Sequence, residues 1–220
     1  MKGRIKAVLF DLDGTLLDTA PDMASAANQV LREFGLPPLT ERQIQANTSL
    51  GARGLLRVGF GDEMKDKDKD IDALRLSFLK HYEQNICRAT RMYDGVPELL
   101  NILSQQNIPW GIMTNKPGFL TRQLLPYFPP LQNAQALVCA DTLAVAKPHP
   151  EPLIHAAEQL NVRPESCIYV GDIRNDIVAA KAAGMHSAVA AWGYIDDSID
   201  PHDWDADLIF NNIENILSLF

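Results

Sequence analysis

Apolar runs that stop abruptly at polar or acidic residues recur along this chain. The first, Ala7-Val8-Leu9-Phe10, shows no polar alternation and reads as a strand covered on both faces, as in a parallel sheet. It ends at Asp11, and Asp13, Gly14 and Thr15 follow. The run 109–113 ends at Thr114-Asn115, and the run 167–170 ends at Gly171-Asp172. Further strands are predicted over 136–139, 187–191 and 207–210, the last two as edge strands. Helices are predicted over 97–106, 118–127 and 152–160, with a short one closing at Leu219. After Asp172, the alanine-rich IRNDIVAAKAAG reads as a helix ended by Gly184, where a left-handed cap is favoured. Alternating strands and helices of this kind predict an α/β fold with a doubly wound parallel sheet.

One interval breaks the alternation. Between the first two strand ends lie roughly a hundred residues, far more than a βα loop needs. APDMASAANQVLREFGL and 73–86 place apolar residues at helical spacing, so a helical inserted lobe is expected. The run GDEMKDKDKDID reads as a solvated loop or helix end.

The strand ends carry the candidate chemistry, because ligands of open parallel sheets sit beyond the strand carboxyl ends. Asp11 and Asp13 repel one another, an arrangement that is costly unless a cation neutralises them or one stays protonated. A plain Asp-Gly turn is the competing reading. Asp172 and Asp176 can share one face at a helix start, with N-capping by Asp172 as the alternative. Thr114 and Asn115 suit phosphate oxygens, or else cap a helix. Lys147 sits in AVAKPHPEP, where two prolines fix the backbone of a loop, although a lone lysine is ordinarily surface. Trp110 and Met113 read as core residues, and His149 and His155 as structural or exposed.

Composition narrows the partners. The chain has 220 residues, 46% hydrophobic and 22% charged, enough for one well-buried core plus a smaller lobe. A net charge of -8 argues against nucleic acid as a partner. No apolar run approaches the roughly 18 residues of a membrane span, and the start shows no signal-peptide pattern. Cys87, Cys139 and Cys167 are widely spaced, which suggests neither disulfides nor zinc but free thiols in a reducing, cytoplasmic setting.

In chain order, FDLDGTLLDT, Thr114, Lys147 and GDIRND resemble the four motifs of the haloacid dehalogenase-like superfamily of phosphotransferases. One departure is Ile173, where some relatives carry a further acid. The resemblance implies a Rossmann-like core over 1–16 and 89–220 and a helical cap over 17–88, which would exclude water and read the leaving group. It also implies Mg²⁺, held by the side chains of Asp11 and Asp172 and the backbone carbonyl of Asp13. Asp11 becomes the nucleophile that forms an aspartyl-phosphate, and Asp13 the acid and then the base. Thr114 and Asn115 hold phosphate oxygens, Lys147 neutralises Asp11 and the phosphate, and Asp176 orients metal-bound water or Lys147.

Within the superfamily, LLDTAPDM, MTNKP, KPHPEPLI and WGYI look like phosphoglycolate phosphatase-like proteins. SLGARGLL, LRLSFLKHYEQN and YIDDSIDPHDWDAD look most like N-acetylmuramic acid 6-phosphate phosphatases of peptidoglycan recycling. The expected partner is therefore a small phosphorylated metabolite, a phosphosugar or phosphoglycolate, for a monomer or weak homodimer. Arg53 is a candidate for the substrate's carboxylate, with Ser49 beside it. Helix capping by Ser49 and plain surface placement of Arg53 are the alternatives. A phosphosugar mutase or a non-enzymatic phospho-receiver module could use similar strand-end acids. Asp13 argues against a dehalogenase, since a halide needs no proton.

Overall fold

Val8 and Phe10 face one side of strand β1 (Ala7–Phe10), and Ala7 and Leu9 face the other, all four buried. Both faces must therefore be covered. The computed structural model describes residues 5–66 and 71–220. In it β1 lies between β4 (Trp110–Met113) and β6 (Cys167–Gly171), paired parallel to each, with Phe10 level with Ile112 and Val170. Strands β5 (Ala136–Val138), β7 (His186–Ala190) and β8 (Leu208–Phe210) extend the sheet to the order β5-β4-β1-β6-β7-β8.

Helices α7 (Glu151–Gln159) and α8 (Arg174–Ala182) bring Leu153, Ala156, Ala157, Ala179 and Ala180 against the Ala7–Leu9 face. Helix α5 (Val96–Gln105) joins the core on the Val8–Phe10 face. The fold is the expected doubly wound, Rossmann-like α/β sheet. Because the three central strands stop in register, Asp11, Thr114 and Asp172 emerge side by side.

Among the described residues, the long interval holds four α-helices: α1 (Ala20–Glu33), α2 (Glu41–Asn47), α3 (Gly51–Phe60) and α4 (Ile71–Gln84). It leaves and rejoins the sheet through a two-stranded antiparallel ribbon, β2 (Leu17–Asp18) with β3 (Arg91–Met92). Helices α2 and α3 were not singled out by periodicity. Helix α2 buries no residue and is started by Thr40 and Gln43, whose side chains cap each other's backbone amides. In α3, glycines allow close approach: a Cβ on Gly59 would lie 2.7 Å from Leu31 of α1. Of the acidic-basic run, 61–66 form a 3₁₀ turn and Ile71-Asp72 open α4, whereas 67–70 lie outside the described residues.

Three expectations are corrected. Strand β7 is interior, flanked by β6 and β8, so β8 and β5 are the edges. The helix expected over 118–127 divides into α6 (Gly118–Leu124) and a 3₁₀ turn, where Pro126 removes a backbone donor. The closing segment is a 3₁₀ helix, Ile213–Leu219. Trp110 and Met113 are core residues, and the three cysteines are free thiols. No helix among the described residues is long and apolar enough to cross a membrane.

Asp22, on the first turn of α1, secures the return of the insertion. Its buried carboxylate accepts the backbone N–H groups of Arg88, Ala89 and Thr90 and the Thr90 hydroxyl. Asp22→Ala would orphan several donors at once and should cost about 3 kcal/mol in urea unfolding, as for buried hydrogen bonds to a charged group. A loss under about 1 kcal/mol would contradict this role.

Candidate active site

The central strands deliver a cluster of carboxylates into a nearly dry environment. Asp11 is fixed through its backbone N–H to the Val170 carbonyl (2.9 Å), and its Oδ1 accepts the N–H of Leu12 (2.8 Å). Its Oδ2 faces the Lys147 Nζ at 2.9 Å. Asp176, on the first turn of α8, accepts the N–H of Ile173 (3.1 Å) and receives the same ammonium at 2.7 Å. Lys147 also donates to the Tyr169 hydroxyl (2.7 Å), which donates onward to the Met113 carbonyl (2.8 Å). Burial works against the charge of Lys147, but Asp11 and Asp176 outweigh it and hold its pKa above the usual lysine range.

Asn115 clamps the loop that carries this lysine. Its carbonyl accepts the Lys147 N–H and its amide donates to the Lys147 carbonyl, both at 3.1 Å, leaving one amide hydrogen uncommitted. Thr114 is buried, and its Oγ1 accepts the N–H of Lys116 (3.2 Å). Neither residue caps α6, which begins after Pro117. Nor does Asp172 cap α8, whose N-cap is Ile173.

Asp172 is fully buried. Its Oδ2 accepts the Ser49 hydroxyl (2.6 Å) and the Tyr194 N–H (2.9 Å), while Oδ1 has no hydrogen-bond partner. Gly14 and Gly193 make room for it: a Cβ on Gly14, whose φ is +81°, would lie 2.1 Å from Asp172 Oδ2, and one on Gly193 would lie 2.3 Å from its Cβ. Burial, then the neighbouring Asp176 and Asp11, push Asp172 up to about 8. Burial likewise pushes Asp11 up to about 6, against the pull of Lys147. Asp11, Asp172 and Asp176 each offer an oxygen within 4.8 Å of the others.

Asp13 stands on the other side of the cluster, its Oδ1 paired with the Lys116 Nζ at 2.9 Å. With every acid ionised, four carboxylates (Asp11, Asp13, Asp172, Asp176) face two ammonium groups (Lys116, Lys147), an excess of two negative charges.

Above the acids opens a cavity of about 770 Å³, bounded by Asp11, Asp13 and Thr114 below and by α3, α4 and the 48–50 turn above. Ser49 reaches this region, and its hydroxyl donates to Asp172 rather than capping a helix. Arg53 lines the cavity from an exposed position, paired with Asp72 at 2.5 Å. Residue-by-residue reading of the sequence passed over Lys116, Tyr82 and Arg75. Lys116 follows Thr114-Asn115 directly, and Tyr82 continues the buried stripe Ile71, Leu74, Phe78 along α4, signals that were available. Half-buried Arg75, which also lines the cavity, carried none.

Buried acids and lysines gathered at the carboxyl edge of a doubly wound parallel sheet, beneath a helical roof, define an α/β enzyme. Matched over residues 8–190 by the model for haloacid dehalogenase-like hydrolases, the chain belongs to that family. It is 45% identical over 204 residues to a phosphoglycolate phosphatase of Xanthomonas campestris, covering 93% of this chain and 91% of that one. It is 35% identical over 216 residues to an N-acetylmuramic acid 6-phosphate phosphatase of Pseudomonas aeruginosa, covering 98% and 95%. The crystal structure of a predicted phosphoglycolate phosphatase from Haemophilus somnus superposes with a TM-score of 0.87 at 28% identity, covering 98% of each chain. The protein is a phosphoric monoester hydrolase, and its substrate is a small phosphorylated molecule.

The raised pKa of Asp172 has a consequence for stability. In the unfolded chain this carboxyl ionises near its ordinary value, whereas in the folded, metal-free protein it keeps its proton up to about 8. The folded state therefore binds more protons between about pH 4 and pH 8, and stability falls as pH rises through that window. Asp172→Asn preserves an acceptor for Ser49 and Tyr194 and cannot ionise. In chelator-treated protein its melting temperature should gain on that of the wild type as pH rises, and a gap independent of pH would contradict the assignment.

Proposed function

We propose that the protein hydrolyses the phosphomonoester of an N-acetylmuramic acid 6-phosphate-sized sugar through an aspartyl-phosphate on Asp11, with residues 17–88 acting as a cap over a catalytic core. One carboxylate oxygen of Asp11 attacks phosphorus, and the bond from phosphorus to the sugar oxygen breaks as Asp13 gives that oxygen its proton. Asp13 then takes a proton from water. The water oxygen attacks phosphorus, the Asp11 acyl phosphate bond breaks, and inorganic phosphate leaves. Lys147 neutralises charge on Asp11 and the phosphoryl oxygens, and Thr114 and the uncommitted Asn115 amide hydrogen hold those oxygens. Asp176 keeps Lys147 in place.

The donor set fits Mg²⁺: hard carboxylate oxygens, an excess of two negative charges once all four acids are ionised, and a buried Asp172 Oδ1 without a hydrogen-bond partner. Asp11 and Asp172 would hold the ion by side chain and Asp13 by its backbone carbonyl. When bound, it neutralises charge developing on the transferred phosphoryl group.

The observation that carries the choice of substrate is the cavity, whose roughly 770 Å³ lies in the range that binds drug-sized ligands and far exceeds the need of a two-carbon acid. Arg53 and Arg75 line this cavity and are the candidates to pair with a lactyl carboxylate. Arg75 is half-buried and carries the larger share, since Arg53 is exposed and already paired with Asp72. Phosphoglycolate is the second reading, favoured by the higher identity of the phosphoglycolate phosphatase relatives.

Kinetics on N-acetylmuramic acid 6-phosphate, N-acetylglucosamine 6-phosphate and 2-phosphoglycolate test the assignment. The first should show the highest kcat/KM. Arg75→Ala should cost about 1–3 kcal/mol of discrimination against the sugar lacking the carboxylate, and Arg53→Ala less than about 1 kcal/mol. A clear preference for 2-phosphoglycolate would overturn the first reading.

A further inference from the structure

Lys116 is the second buried cation of the site, and the mechanism above gives it no task. Its side chain is 3% exposed, and its backbone is fixed at both ends: the N–H donates to Thr114 Oγ1 and the carbonyl accepts the N–H of Ala140. From there the side chain crosses the face of Tyr82, with Nζ 4.5 Å from the ring centroid. The ammonium donates to Asp13 Oδ1 at 2.9 Å and to the Tyr82 hydroxyl at 2.8 Å. Tyr82 is itself buried and belongs to α4, on the helical insertion.

We propose that Lys116 and Tyr82 are a positioning pair that fixes the χ1 rotamer of Asp13, holding one carboxyl oxygen so that the other is presented for proton transfer. Lys116 engages Oδ1, leaving Oδ2 to carry the proton toward the leaving oxygen. A change of χ1 would swing the whole carboxyl off the ammonium and lose that contact. The aromatic ring and hydroxyl of Tyr82 confine Lys116 in turn, so the aim of the acid depends on where α4 holds Tyr82. A purely structural ion pair offers little net stability once its desolvation is counted, and an apolar pair would fill the same space. Here the carboxylate partner is the proposed proton donor itself, so the geometry points to function.

This inference rests on Asp13 being the general acid, and its test separates the two. Tyr82→Phe keeps the ring and removes the acceptor that locates Lys116. Its kcat/KM, which reports the steps up to departure of the leaving group and not the later attack of water, should fall about tenfold on the alkyl phosphate turned over best. On p-nitrophenyl phosphate, whose leaving group scarcely needs a proton, kcat/KM should fall less than about twofold. Lys116→Met should show the same asymmetry more strongly, and Lys116→Arg should recover part of it. In an Asp13→Asn background Tyr82→Phe should add almost nothing, because the pair acts through a carboxylic acid that is gone. Equal losses on both leaving groups, or full additivity with Asp13→Asn, would overturn the positioning role. An Asp13→Asn variant that itself showed no dependence on the leaving group would instead refute Asp13 as the acid. Thermal melts of each variant distinguish loss of fold from either result.

Discussion

Concentrating negative charge in a dry place is the constraint on which the rest of this structure depends. Four carboxylates lie at the ends of β1 and β6 and on the first turn of α8, with two lysines paired to them among the described residues. Burial raises the pKa of Asp11 and Asp172, a standing cost to the metal-free fold. The scaffold bears that cost because three adjacent parallel strands with both faces buried hold the acids rigidly. Glycines at 14, 171 and 193 leave space that any Cβ would close; on Gly171 it would stand 2.2 Å from Asp176 Oδ2. The same frustration serves phosphoryl transfer, which calls for fixed charge around the phosphoryl group rather than for flexible chemistry.

Much of this was legible in the sequence, for a physical reason. A strand of a doubly wound sheet must be apolar throughout, and its ligands lie beyond its carboxyl end, so apolar runs ending at Asp11, Thr114 and Asp172 mark both fold and site. What stayed hidden is what depends on distant contacts. Ser49 looked like a substrate contact or a cap, but its partner Asp172 lies 123 positions away. Lys116 and Tyr82 are separated by 34 positions and meet only when α4 folds back toward the strand ends. Strand β7 read as an edge because periodicity does not reveal which strands flank which. Helix α3 was obscured by its glycines, which matter for packing against α1 rather than for propensity.

The helical insertion supplies much of the site besides a roof. Ser49 grips Asp172, Tyr82 grips Lys116, and Asp22 secures the chain on its way back to the sheet. Tyr194 links the same parts from the core side, its N–H on Asp172 and its hydroxyl on Asp18 and the N–H of Ala20 where the insertion begins. The strand-end acids and the helical insertion are thus joined through a few hydrogen bonds.

The central claim is that Asp11 is phosphorylated during turnover. Acid quenching of the enzyme in the steady state with Mg²⁺ and substrate, followed by low-pH proteolysis and mass mapping, measures this directly. A phosphoryl group on the peptide carrying Asp11, absent from Asp11→Asn and discharged when the native enzyme is left to turn over, is the predicted result. Turnover with no phosphorylated carboxylate at any quench time, or with the phosphoryl group on another residue, would contradict the account.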